Sequence, residues 1–201
     1  MNVISNILYW ISTGLLVPVI VLLIFFFVRA IVLIGAFFGQ YLHEKKTVAP
    51  LYDRIRQLTP PDLAGFAASL PRKPDSVLAA YAGKIIAEAG NGSRTDLLLS
   101  EYEILADRNI ATSKVLTKMG PILGLMGTLI PMGPALVGLA SGDIASMAYN
   151  MQVAFATTVV GLVISAIGFL TQQIKERWAV RNLTILEFLA DIVKQSENRS
   201  L

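Results

Sequence analysis

Thr128 and Thr158, on opposite arms of an apolar hairpin, are the residues whose type and spacing could do chemistry in this chain. Thr128 lies 14 residues before Gly142 and Thr158 lies 16 after it, roughly 21 Å and 24 Å along helices rising about 1.5 Å per residue. The two hydroxyls reach nearly one depth, and they would form a polar collar in an apolar tube if both faced one lumen in a ring of subunits. Thr157 points about 100° away from Thr158, so at most one of the pair faces such a lumen squarely. The competing role for each threonine is a bond back to the carbonyl three or four residues earlier. A hydroxyl donates and accepts hydrogen bonds but holds no transferable proton near neutral pH. Between Pro121 and Thr171 there is no Asp, Glu, Lys, Arg or His except Asp143, which reads as a solvated turn residue. A proton pathway through these helices would need its titrating carboxylate from another subunit.

Around the first threonine, Gly120, Gly124 and Gly127 fall four and three residues apart. They share one helix face, which lets a neighbouring backbone approach closely. Pro131 and Pro134 each remove a backbone donor, which predicts a kink or loosened turn acting as a static bend or a hinge.

These residues need a membrane around them, and the composition supplies the reason. Of 201 residues, 54% are hydrophobic and 15% charged, with a mean hydropathy of +0.61, well above the usual balance of a soluble domain. Cysteine is absent and His43 is the single histidine, so no disulfide scaffold, metal site or cofactor is expected. The formal charge of +3 does not point to nucleic acid, because the basic residues flank apolar spans and are interspersed with acidic ones.

The apolar run from Ile7 to Phe38 would make a helix of roughly 48 Å against a hydrocarbon core of about 30 Å. It reads as one span, 15–38, after a short lead-in, 1–14, rather than as a cleaved signal peptide. Two further spans, 116–140 and 148–171, form a tight hairpin around the turn 141–147. Residues 40–118 hold eleven Lys and Arg and the tail after Thr171 holds five, against none in the N-terminus or the turn. By the positive-inside rule the N-terminus and turn face outside, while 39–115 and the helical tail 172–201 face the cytoplasm. The expected fold is an all-α integral membrane protein of three transmembrane helices with long helical cytoplasmic extensions, in a cell inner membrane. Arg29 within the first span would cost about 2.5–3.5 kcal/mol at mid-bilayer and is expected to snorkel towards headgroups or pair with a cytoplasmic carboxylate. Tyr9, Trp10 and Trp178 suit interfacial anchors, and His43 suits an exposed position near the membrane exit.

The region 39–115 reads as helical pieces punctuated at Pro50, Thr59-Pro60-Pro61, Pro71 with Pro74, and Gly90-Asn91-Gly92-Ser93. Asp75 or Ser76 is expected to cap one helix and Thr95 or Asp96 the next.

The segment Gly120 to Gly133, with Pro121 followed by Gly124-Leu125-Met126-Gly127-Thr128, resembles the signature helix of the ExbB/TolQ/MotA proton-channel family. Ala156-Thr157-Thr158-Val159-Val160-Gly161-Leu162 is a second match, and the order of spans resembles the three-span ExbB/TolQ layout. The resemblance adds Pro121 and Gly161 to the packing or hinge residues. It implies a ring-shaped homopentamer enclosing two copies of a single-span ExbD/TolR/MotB-like subunit whose membrane aspartate carries the proton. Thr128, Thr158 and Thr157 would then line the pore, and proton flow would drive rotation of one component within the other. Pro131 departs from the glycine frequent in ExbB-like sequences, and Val153 from the glutamate that some carry, with neutral Gln152 and Asn150 nearby. The residues show no nucleophile-base pair, metal cluster or phosphate loop, so an enzyme is not expected. A structural membrane scaffold or a passive channel is the alternative.

Overall fold

The computed structural model describes residues 2–71 and 74–200; the side chains of 2, 5, 6, 8, 9 and 197–200 lie outside the described residues, and with them the anchor role expected of Tyr9. Seven α-helices account for most of the described residues: α1 (Asn2–Gly14), α2 (Leu16–His43), α3 (Ala49–Arg56), α4 (Leu63–Ser69), α5 (Val77–Ala87), α6 (Gly92–Ser141) and α7 (Ile144–Ser200). No strand occurs among the described residues. Among the described residues, three stretches are long and apolar enough to cross a membrane, within Trp10–Arg56, Gly92–Ser141 and Ile144–Ser196. The all-helical class expected from the sequence is present, and these three helices fit a membrane protein.

The punctuation follows from local chemistry. Pro50 does not open a loop: Glu44–Val48 form a π-helical turn in which the Ala49 N–H bonds the Glu44 carbonyl. A proline has no N–H for the carbonyl four residues back and its ring crowds it, so widening the ladder by one residue keeps the helix going. At Thr59-Pro60-Pro61 the chain does turn. Thr59 is extended, as a residue before proline prefers, and a 3₁₀ turn at Pro60–Asp62 leads into α4. Leu70, before Pro71, is extended for the same reason and ends α4. Ser76 caps α5 by accepting the Ala79 N–H at 3.2 Å. The next cap is Asn91, not Thr95 or Asp96: its side-chain oxygen takes the Arg94 N–H at 3.2 Å. Gly90 adopts φ +90°, so the reversal is complete before Gly92 and the helix can start there.

The hairpin turns at Gly142 and Asp143, between the end of α6 and the start of α7. Gly142 sits at φ +78°, its N–H bonds the Leu139 carbonyl at 3.2 Å, and the Asp143 N–H bonds the Gly138 carbonyl at 2.8 Å. This is a Schellman closure. Asp143 then caps α7 by accepting the Ser146 N–H at 3.0 Å, so one carboxylate starts the helix that the glycine made room for.

Two compact units divide the chain, one of residues 1–35 and 112–172, the other of 36–111 and 173–201. In the first, Val19, Leu23, Ala30 and Leu33 of α2 join Leu116, Leu123, Ile130 and Ile164 in one buried cluster. Around it Val21, Ile31, Leu129, Leu136, Phe155 and Leu162 are exposed, an apolar surface that water would penalise and lipid would not. In the second unit Ile55, Phe66, Leu78, Ile85, Leu186 and Leu189 build a core that α3, α4, α5 and the C-terminal half of α7 share. Leu186 is fully buried. Truncation by Leu186→Ala should cost about 2–5 kcal/mol, as for other large-to-small core changes, visible as a lowered thermal midpoint of the purified chain.

Candidate pore helices and their packing

Within the first unit, α6 and α7 meet along a seam of small residues. A Cβ placed on Gly120 would stand 2.5 Å from the Gly161 carbonyl oxygen, and one on Gly161 would stand 2.6 Å from the Gly120 carbonyl oxygen. On Gly168 it would meet the Thr117 nitrogen at 2.5 Å, and on Gly127 the Thr157 Oγ1 at 2.5 Å. Gly124 is roomier, its nearest neighbours being 3.5 Å away on Gly161 and Thr158. The neighbour that the Gly120, Gly124 and Gly127 face admits is thus the second arm of the same hairpin.

Polar groups along the seam satisfy one another. Pro121 cannot donate to the carbonyl of Thr117, four residues back, and the Ser165 hydroxyl of α7 donates to that carbonyl at 3.0 Å. Thr117 in turn bonds the Ser113 carbonyl at 2.9 Å, and the fully buried Ser113 hydroxyl accepts from Thr171 at 3.1 Å. In hydrocarbon, a backbone group freed by proline has to find such a partner. α6 keeps helical geometry through Pro121, Pro131 and Pro134; Pro131 is fully buried and Pro121 is exposed.

Each of the three threonines hydrogen-bonds backward along its own helix. Thr128 donates to Leu125 at 2.7 Å, Thr158 to Ala154 at 3.0 Å, and Thr157 to Ala154 at 2.9 Å and Val153 at 3.0 Å. Thr157 is 7% exposed and faces α6 across Gly127, whereas Thr128 and Thr158 are half-buried. Of the adjacent pair, Thr158 is the less buried, and its Cα lies beside Gly124. A groove on α7 lined by Met151, Gln152, Phe155 and Val159 continues the exposed apolar face. Arg29 is exposed, as are His43 and Asp143.

Ser113, Thr117, Ser165, Gly168 and Thr171 were not singled out by sequence reasoning. Their signal was present: Gly161, Ser165 and Gly168 repeat on α7 the four-and-three spacing of Gly120, Gly124 and Gly127 on α6.

In the second unit, Trp178 stacks on Phe37, ring centres 5.7 Å apart and planes within 5°. Glu44, in the π-helical turn, is hydrogen-bonded and ion-paired to Arg181 and accepts from Asn182 at 3.5 Å. Burial pushes the Glu44 carboxyl above its ordinary range, against the lowering effect of Arg181. Burial likewise pushes the Tyr102 phenol up.

Three apolar helices, two of them clasped in a glycine-lined hairpin, define a multi-pass helical membrane protein. Residues 94–187 match the MotA/TolQ/ExbB proton channel family, which supports for this chain the family that the Gly120–Gly133 and Ala156–Leu162 motifs had indicated. The match runs from the first turn of α6 into the C-terminal half of α7 and so covers the whole hairpin; a stator-like proton-channel role is what the family indicates. No curated protein and no solved structure matches the chain.

Ser165→Ala should cost about 1–3 kcal/mol by leaving the Thr117 carbonyl unsatisfied. Adding Pro121→Ala, which returns a backbone donor to that carbonyl, should recover much of the loss. A double-mutant cycle on thermal unfolding measures the coupling, and additive effects would show that Ser165 does not serve the proline gap.

Proposed function

We propose that this chain is the pore-forming, stator-type subunit of a proton-motive-force-driven membrane motor. In this reading five copies form a ring in the cell inner membrane, with the N-terminus and hairpin turn outside and the C-terminus in the cytoplasm. The ring houses the transmembrane helices of two ExbD/TolR/MotB-like subunits, the kind of partner with which this family generally works, and proton flow turns one component within the other. The chain performs no enzymatic reaction of its own.

The observation that carries the reading is the coincidence of the family match at 94–187 with a hairpin that holds hydroxyls but no transferable proton in its membrane segments. Asp143 is the one carboxylate between Pro121 and Thr171, and it is engaged as a helix cap. In this reading the proton carrier comes from the partner, and the half-buried Thr128 and Thr158 line its path. A proton falling through ~150 mV releases about 3.5 kcal/mol, scaled from ~2.3 kcal/mol per 100 mV. That suffices to bias a two-state packing change by a few hundred-fold.

The scaffold or passive-channel reading draws on a specific observation as well, since each threonine already satisfies itself on a backbone carbonyl. Proton flux distinguishes them. In liposomes holding the chain with its partner, Thr158→Val should lower partner-dependent flux at least tenfold while native mass stays that of the wild type. Thr128→Val should do so on the opposite arm. Undiminished flux in both variants would remove the threonines from the pathway, and absence of any flux from the wild-type pair would favour the scaffold.

A further inference from the structure

Within the second unit lies a cavity of about 260 Å³ with a buried cation in its wall. Lys175 is 9% exposed, and its Nζ makes one long hydrogen bond, 3.4 Å to the Asn109 carbonyl. An ammonium carries three donors, and no ion pair engages this one among the described residues. The two carboxylates at the cavity do not answer it: Glu44 is taken by Arg181 and Asn182, and Asp75 lies on the exposed side. The remaining wall combines apolar side chains, Leu78, Leu105, Ile110 and Trp178 among them, with neutral polar ones at Gln40, Ser76, Tyr102 and Asn109 and with His43. Desolvation lowers the pKa of Lys175 with no opposing contribution. A buried ammonium in that condition lacks a counter-ion.

Height along the helices says which anion suits. Gln40 stands two residues beyond span 15–38 and Lys175 four beyond span 148–171, about 3 Å and 6 Å at the helical rise. That is the depth of the headgroup layer, which adds roughly 5–8 Å to each side of the hydrocarbon.

We propose that this cavity is a binding site for a phosphate oxyanion seated on the Lys175 ammonium. The depth of the site favours the phosphodiester of an anionic lipid headgroup over free phosphate as the source. Leu78, Leu105 and Ile110 exclude water from the pair, which strengthens the attraction relative to a surface lysine. The inference is independent of the motor reading, because it rests on the cavity of the second unit and on the membrane spans, not on proton flow or on a partner.

The test uses the full chain in a neutral detergent, with Trp10→Phe as background so that fluorescence reports Trp178 in the cavity wall. Dioctanoyl phosphatidylglycerol should quench saturably. Lys175→Gln should weaken binding at least tenfold, Lys175→Arg should retain it, and Lys45→Gln, which removes an exposed charge, should stay within twofold of wild type. Ala179→Leu, which fills the cavity and keeps the lysine, should also weaken binding, and it decides the matter if Lys175→Gln does not fold. Saturation by inorganic phosphate with the same dependence on Lys175 would support the site and make free phosphate the source. The proposal is overturned by wild-type affinity in Lys175→Gln or Ala179→Leu, or by an equal loss in Lys45→Gln. Equal quenching by dioctanoylglycerol, which has no phosphate, or no saturation with either phosphate source would overturn it too.

Discussion

The backbones of Gly120 and Gly161 lie so close that a methyl group on either would meet the carbonyl oxygen of the other, and the polar arrangement of the hairpin depends on that approach. Helices held apart by ordinary side chains sit about 8–10 Å axis to axis; small residues let them come closer. At such range a serine side chain can reach the backbone of the opposite helix, as Ser165 reaches Thr117. The proline at 121 becomes tolerable for that reason, since the carbonyl it strands is satisfied from across the seam. Lipid offers no hydrogen bonds in exchange, so the glycines, the proline and the serine form one device rather than three features.

The second unit is held in a different way. Its core is the buried apolar cluster of Ile55, Leu78, Ile85, Leu186 and Leu189, and the same unit holds the Glu44–Arg181 ion pair. Glu44 stands in a π-helical turn, a local widening caused by Pro50, and the turn aims its carboxylate at Arg181. Breaking one partner of such a pair leaves an uncompensated charge, whereas replacing both with apolar groups can be nearly neutral. The pair therefore speaks more for a defined arrangement of the turn against α7 than for stability.

Much of this was legible beforehand. Three spans follow from apolar runs of twenty or more residues, a signal summed over so many side chains that no single one spoils it. Ser76 as a cap and the extended residues before Pro60 and Pro71 are local chemistry and were readable. Pro50 was not, because whether a proline breaks a helix or widens it depends on what packs around it. The cap at Asn91 lost out to a composition that reads as a loop, Gly-Asn-Gly-Ser, although one left-handed glycine suffices for the turn. The Ser165 bond to Thr117 joins residues 48 apart, beyond any local pattern; only the repeated spacing of small residues on both arms hinted at it. Periodicity allowed at most one of Thr157 and Thr158 to face away from α6, and the contact of Thr157 with Gly127 shows which is the more deeply packed.

The bond from Ser165 to the Thr117 carbonyl has a mechanical consequence. Sliding α7 along α6 by one residue would carry the hydroxyl about 1.5 Å along the axis and turn it by about 100°. The stranded carbonyl would be left bare, and Gly161 would be replaced opposite Gly120 by a residue with a side chain. Either outcome is costly in hydrocarbon, so the two arms are keyed against slippage. Any displacement the hairpin undergoes must be of the pair as one rigid stave, tilting or turning whole, with the register between its halves conserved.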